Sequence, residues 1–76
     1  MSMEKTKLYH VEFQTSHGDL KFIGCAIDVN SARRVVSDYL DERHYKAPYW
    51  RENHYPDYIE VDVGSHTEFF KITEVL

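Results

Sequence analysis

The sequence predicts an α+β fold of order β-β-α-β-β: a four-stranded sheet with one helix packed across one face. Three observations carry this expectation. Only Asn30–His44 shows a helical period, with Ala32, Val35, Val36, Tyr39 and Leu40 on a single stripe. Two stretches before it and two after it alternate apolar and polar residues in the manner of half-buried strands. Within each pair the strands are joined by a short glycine-containing segment, Ser16–Asp19 or Gly64–His66, which reads as a hairpin.

Taken in order, residues 1–6 are polar and charged and read as a frayed start. Lys7–Thr15 alternates, with Tyr9, Val11 and Phe13 on one face and His10, Glu12 and Gln14 on the other. Gly18 suits the turn that follows, because glycine takes positive φ without a Cβ clash. Leu20–Val29 is the second strand. It sets Ile23, Cys25, Ile27 and Val29 against Phe22, Gly24, Ala26 and Asp28, and which set is buried stays open. Gly24 inside it points to a bulge or to a close approach by another part of the chain.

Asn30 or Ser31 is suited to cap the helix, since either side chain can accept a bond from an orphan backbone N–H. Arg43 and His44 suit the negative pole at its other end. Arg33, Ser37, Asp38, Asp41 and Glu42 are expected on the outer face. Tyr45–Asp57 is long for a connection, and Pro48 and Pro56 discourage regular structure. Its four large aromatics, Tyr45, Tyr49, Trp50 and Tyr55, argue against a slack linker, and Tyr49–Asn53 could form a short helical turn. Tyr58–Val63 alternates with Ile59, Val61 and Val63 inward. Thr67–Leu76 closes the chain, with Phe70 and Ile72 facing the helix and Phe69 and Val75 the other side, or the reverse.

Seventy-six residues suit one domain, 1–76, with a core of modest size. Cys25 is the only cysteine, which excludes an internal disulfide and favours a reducing compartment. No run approaches the length of a membrane span and no apolar leader segment is present, so a soluble cytoplasmic protein without a membrane partner is expected. The net charge of −4 is uneven. Residues 1–51 carry eight Lys/Arg against seven Asp/Glu, whereas residues 52–76 carry Lys71 against six carboxylates. That balance disfavours nucleic acid as a partner.

Ala26–Asp28, the helix with Ala32, Val36 and Tyr39 inward, and the closing strand Phe70–Glu74 resemble the small β-grasp domains of immunoglobulin-binding bacterial surface proteins. The resemblance spans residues 20–76 and rests on pattern and residue type. It implies a four-stranded sheet whose first and last strands pair in parallel at the centre. A fully antiparallel sheet is the alternative.

The five histidines, His10, His17, His44, His54 and His66, show no metal-ligand spacing, and Cys25 has no near partner, so no metal or other cofactor is expected. The three glycines do not form a phosphate-binding fingerprint. Cys25 sits mid-strand, where cysteine behaves as a small hydrophobe, and no catalytic set stands out. Glu60 and Asp62 share one strand face and could converge with Glu12 or Glu74.

The best candidate surface is the aromatic connection, because Tyr, Trp and Arg dominate binding hot spots. Tyr49, Trp50, Arg51, His54 and Tyr55, together with Glu60 and Asp62 of the acidic hairpin, are the expected partner-binding residues. Trp50 either joins that surface or folds back to plug the end of the core. The expectation is a non-enzymatic protein–protein interaction or inhibitor module, similar in type to accessory proteins of bacteria and their phages. An exposed edge strand could also make a homodimer. The alternative is a nucleic-acid binder that uses sheet aromatics with Lys21, Arg33, Arg34, Arg43, Lys46 and Arg51 on phosphates.

Overall fold

The computed structural model describes residues 7–75, so the frayed start expected at 1–6 lies outside the described residues. The elements are β1 (Tyr9–Gln14), β2 (Leu20–Ala26), α1 (Val29–Glu42), β3 (Arg51–His54), β4 (Tyr58–Asp62) and β5 (Phe69–Glu74). They form one helix against a five-stranded sheet of order β2-β1-β5-β4-β3, with every neighbouring pair antiparallel. The α+β class agrees with the sequence. The strand count and the central pairing do not.

Both differences have one cause. The connection expected to be irregular, with a helical turn at Tyr49–Asn53, contains β3 instead. Three strands then follow the helix rather than two. Each hairpin reverses direction, so an extra strand inverts the last one. β5 therefore runs antiparallel to β1, pairing Val11 with Ile72 and Phe13 with Phe70. The parallel pairing of a β-grasp sheet is absent, and the fully antiparallel alternative holds.

The β1–β2 hairpin closes through a tight turn in which Gly18 N–H donates to Thr15 C=O (2.9 Å) and Thr15 N–H to Asp19 C=O (2.8 Å). Gly18 has φ of +91°, the left-handed conformation such a three-residue loop demands. The register then slips: Val11 faces Gly24 while Glu12 faces Phe22, leaving Ile23 as the extra residue of a bulge. The bulge explains why β2 does not keep the two faces its sequence suggests. Ile23 packs against the core, Ala26 is buried, and Phe22 and Cys25 are exposed. Gly24 fits a close approach too, since a Cβ there would lie 3.0 Å from Val35 Cγ1.

β2 ends at Ala26, three residues before the expected Val29, because Asp28 caps the helix. Its Oδ1 accepts the Ser31 N–H at 2.7 Å, a bond that also holds this carboxyl below its usual pKa. Neither Asn30 nor Ser31 is the cap. The helix buries Ala32, Val36 and Leu40, with Val35 and Tyr39 partly covered, on the stripe its periodicity marks. It stops at Glu42, with Arg43 as C-cap. His44 takes φ of +57°, its N–H donates to Asp41 C=O (3.0 Å), and Tyr45 N–H donates to Leu40 C=O (3.0 Å). That double bond pattern closes a helix in a Schellman turn, here with histidine where glycine is usual.

Helix and sheet meet in a core of Val11, Phe13, Ala26, Ala32, Val36, Leu40, Val61, Val63, Phe70 and Ile72. The rings of Phe13, Tyr39 and Phe70 pack with centroids 5.1–5.8 Å apart. The helix packs on β2, β1 and β5, on one side of the sheet. The β4 side is covered by the start of the connection. Tyr45 and Ala47 pack against the core, and the Tyr45 hydroxyl donates to Val63 C=O at 3.1 Å. Pro48 lies so close to Gly64 that a Cβ there would meet its Cγ at 2.3 Å.

Candidate functional site

β3 carries Arg51 and His54 of the expected partner-binding residues, with Tyr49, Trp50 and Tyr55 flanking it in sequence and Glu60 and Asp62 on β4 beside it. It is an outer strand, held on one side by β4 through the pairs Arg51–Asp62, Glu52–Val61, Asn53–Glu60 and His54–Ile59. Tyr55 N–H donates to Tyr58 C=O (2.8 Å) and closes the turn through Pro56 and Asp57. In an antiparallel pair, hydrogen-bonded and non-bonded positions alternate. The N–H and C=O of Glu52 and His54 therefore point out of the sheet along its free edge.

Glu52 organises this edge. Its side chain is only 14% exposed and receives four contacts. Arg33 reaches across from the helix and donates from Nε at 2.7 Å and from a terminal nitrogen at 3.0 Å, a bidentate fork. Trp50 Nε1–H donates at 2.9 Å, and His54 Nε2 lies at 2.9 Å. Asn30 Oδ1 accepts from the other terminal nitrogen of Arg33 at 2.7 Å. The Arg33 guanidinium is the main cause of a Glu52 pKa of about 2. Partial burial opposes the shift, and the bonds from Trp50 and His54 add to it. Arg33 is not simply a solvated outer-face residue, and its own pKa is raised by the same pair.

The seven expected residues share this edge but lie on its two faces. Trp50 and His54 are on the helix side with Glu52. Arg51, Glu60 and Asp62 lie on the open face by strand alternation, and Tyr49 joins them, its ring 5.1 Å from the Arg51 guanidinium. Tyr55 stacks on Tyr58, ring centroids 4.9 Å apart. Tyr49, Trp50 and Tyr55 remain 43%, 37% and 48% exposed. Trp50 is thus not the core plug; Tyr45 and Ala47 fill that position.

The acidic hairpin is less uniform than its sequence suggests. Lys71 stands between Glu12 and Glu60 in the cross-strand row, and Asn53 Nδ2 donates to Glu60 at 3.2 Å. Asp62 accepts the Gly64 N–H at 3.0 Å. Glu74 is opposite Tyr9, on the helix side, 3.6 Å from Lys7, so it does not converge with Glu60 and Asp62. Among the described residues, no group of three or more His, Cys, Asp or Glu is placed to hold a metal ion. A cavity of about 150 Å³ opens beside the helix C-terminus over Phe13, Leu40 and Phe70. That is small beside ordinary ligand pockets. Among the described residues, no helix is long and apolar enough to cross a membrane.

Sequence reasoning missed Glu52, and it placed Arg33 on the outer face of the helix rather than against Glu52. Their signal is weak: a carboxylate between Trp50 and His54 at alternate positions, and an arginine one residue beyond the helix's apolar stripe. Comparison of the chain with protein-family models, with curated proteins and with solved structures finds no match.

Proposed function

We propose that the protein is a non-enzymatic interaction module that binds another protein through the β3 edge. One observation carries this reading: three large aromatics are exposed just before and just after one free strand, and each is already held in place. Glu52 fixes Trp50, Arg51 lies over Tyr49, and Tyr58 stacks on Tyr55. Exposed aromatics that are rigid before binding lose little entropy on contact, which is the property of hot-spot residues. The outward N–H and C=O groups of Glu52 and His54 add a backbone docking line for an extended segment. Arg51, His54, Glu60 and Asp62 supply a mixed polar rim.

Nucleic acid is the weaker reading. His10, Phe22, Tyr58 and Phe69 do share the open face with Lys71. Lys21 and Arg43, however, lie against Tyr39 on the helix side, Arg33 is engaged by Glu52, and Glu12 and Glu60 flank Lys71. Lys71 and Arg51 do lie on the aromatic face, each opposite a carboxylate on the neighbouring strand.

The test is affinity capture from the native cell with immobilised wild type, Tyr49→Ala and Tyr55→Ala. Retained proteins that are lost with both variants support the reading. Retention that is identical for all three refutes it.

A further inference from the structure

The cavity beside the helix C-terminus has an apolar floor. Phe13 and Phe70 come from paired positions on β1 and β5, Val63 follows β4, and Leu40 is in the last turn of the helix. All four are buried. The walls come from the way the helix ends. His44, at φ of +57°, turns the chain out of the helix, and Tyr45 then reaches Val63, whose C=O accepts its hydroxyl. The helix end and the start of the connection thus stand on either side of one patch of the sheet.

The cavity is also lined by two opposite charges, Arg43 and Glu68. The Arg43 guanidinium is held over the floor, 4.9 Å from the Phe13 ring centroid and 5.5 Å from that of Tyr39. A guanidinium held over aromatic faces keeps its in-plane N–H donors available to a carboxylate. Among the described residues, no ion pair joins Arg43 to Glu68 or engages either group. Opposite charges that line one apolar space without meeting are complementary to a molecule that carries both.

We propose that this cavity binds a free α-amino acid with an apolar side chain the size of leucine's. Its carboxylate meets Arg43, its ammonium meets Glu68, and its side chain rests on Phe13, Leu40, Val63 and Phe70. The volume of about 150 Å³ sets the size, since a space of that order holds one six-membered ring or a branched alkyl group. Peptide ends fit less well. An N-terminal residue brings the ammonium without the carboxylate, and a C-terminal residue brings the reverse. An acid without the ammonium also faces the negative pole of the helix and Glu68 with nothing to offset them. The site shares no residue with the β3 edge.

Titration of isotope-labelled protein with L-leucine to about 20 mM, followed through the amide chemical shifts, tests this. Saturable shifts are expected at residues 43–45 and 63–68, with a dissociation constant on the order of 1 mM. Isocaproate keeps the side chain and carboxylate but lacks the ammonium, and isopentylamine lacks the carboxylate. Each binds at least about tenfold more weakly than leucine. Two variants, both verified as folded by far-UV circular dichroism, separate the two charge contacts. Glu68→Gln weakens leucine about tenfold without weakening isocaproate, and Arg43→Gln weakens leucine about tenfold without weakening isopentylamine. The Tyr49→Ala/Tyr55→Ala double variant binds leucine like wild type. The proposal is overturned by leucine that gives no saturable shift at these residues, by leucine and the two singly charged compounds binding alike, or by a leucine affinity undiminished in either charge variant.

Discussion

Replacing Glu52 with glutamine removes the charge at the centre of the β3 edge while keeping its shape. Folding lowers this carboxyl from an ordinary value of 4.5 to about 2. By linkage, a shift of that size corresponds to about 3 kcal/mol of stability at neutral pH. Arg33, the main partner, is 37% exposed, and solvent screening reduces its share. The expected loss for Glu52→Gln at pH 7 is therefore about 1–2 kcal/mol. The sign follows from the depressed pKa. The contribution is fully present above pH 4.5, and it is lost as pH falls towards 2, where the native carboxylate takes up its proton. Urea unfolding monitored by Trp50 fluorescence, for wild type and variant at pH 7 and at pH 2.5, measures both the gap and its closure. At roughly 1 kcal/mol/M for a chain this small, the midpoints differ by about 1–2 M at pH 7. The gap should shrink by more than half at the lower pH. Coincident midpoints at pH 7, or a gap that is the same at both pH values, would show that Glu52 does not hold β3 to the helix.

Two further substitutions test how the connection is positioned. Gly64→Ala places a methyl group 2.3 Å from Pro48 Cγ at a φ of +92°, so thermal unfolding should show a loss of roughly 2–4 kcal/mol. His44→Gly should have the opposite effect. It relieves a left-handed residue at φ of +57° in the Schellman turn and stabilises by about 1 kcal/mol, a rise of a few degrees in Tm. A lower Tm for His44→Gly would mean that the imidazole makes a contact that outweighs the backbone strain.

The helix and three of the strands were legible because they bury residues at the period of their backbone. Ala32, Val36 and Leu40 mark the helix, Val11 and Phe13 the first strand, Ile59 and Val61 the fourth, and Phe70 and Ile72 the last. β3 was not legible, because its inward residue opposite Val61 is Glu52, which is satisfied by Arg33 rather than by apolar packing. A strand that uses an ion pair where its neighbours use valine gives no alternating signal. The missed strand also set the wrong parity for the sheet. β2 misled differently: the Ile23 bulge shifts its faces by one residue, so Phe22 is 55% exposed while Ala26, in the same alternating set, is buried. The helix cap moved for a related reason, because Asp28 reads as the end of a strand yet its carboxylate reaches the Ser31 N–H. The aromatic residues of the candidate site lie together beside β3 because they are close in sequence. Their division between two faces depended on β3.

The most direct test of the proposed role is quantitative capture with differentially isotope-labelled lysate proteins. Wild type, Tyr49→Ala/Tyr55→Ala and Phe22→Lys, a control on the opposite edge strand, are compared, all three verified as folded by far-UV circular dichroism. The β3-edge account predicts a protein retained equally by wild type and Phe22→Lys and depleted at least tenfold on the double tyrosine variant, about 1.4 kcal/mol or more of lost contact. A retained set whose ratio stays at unity between wild type and the double tyrosine variant would contradict it.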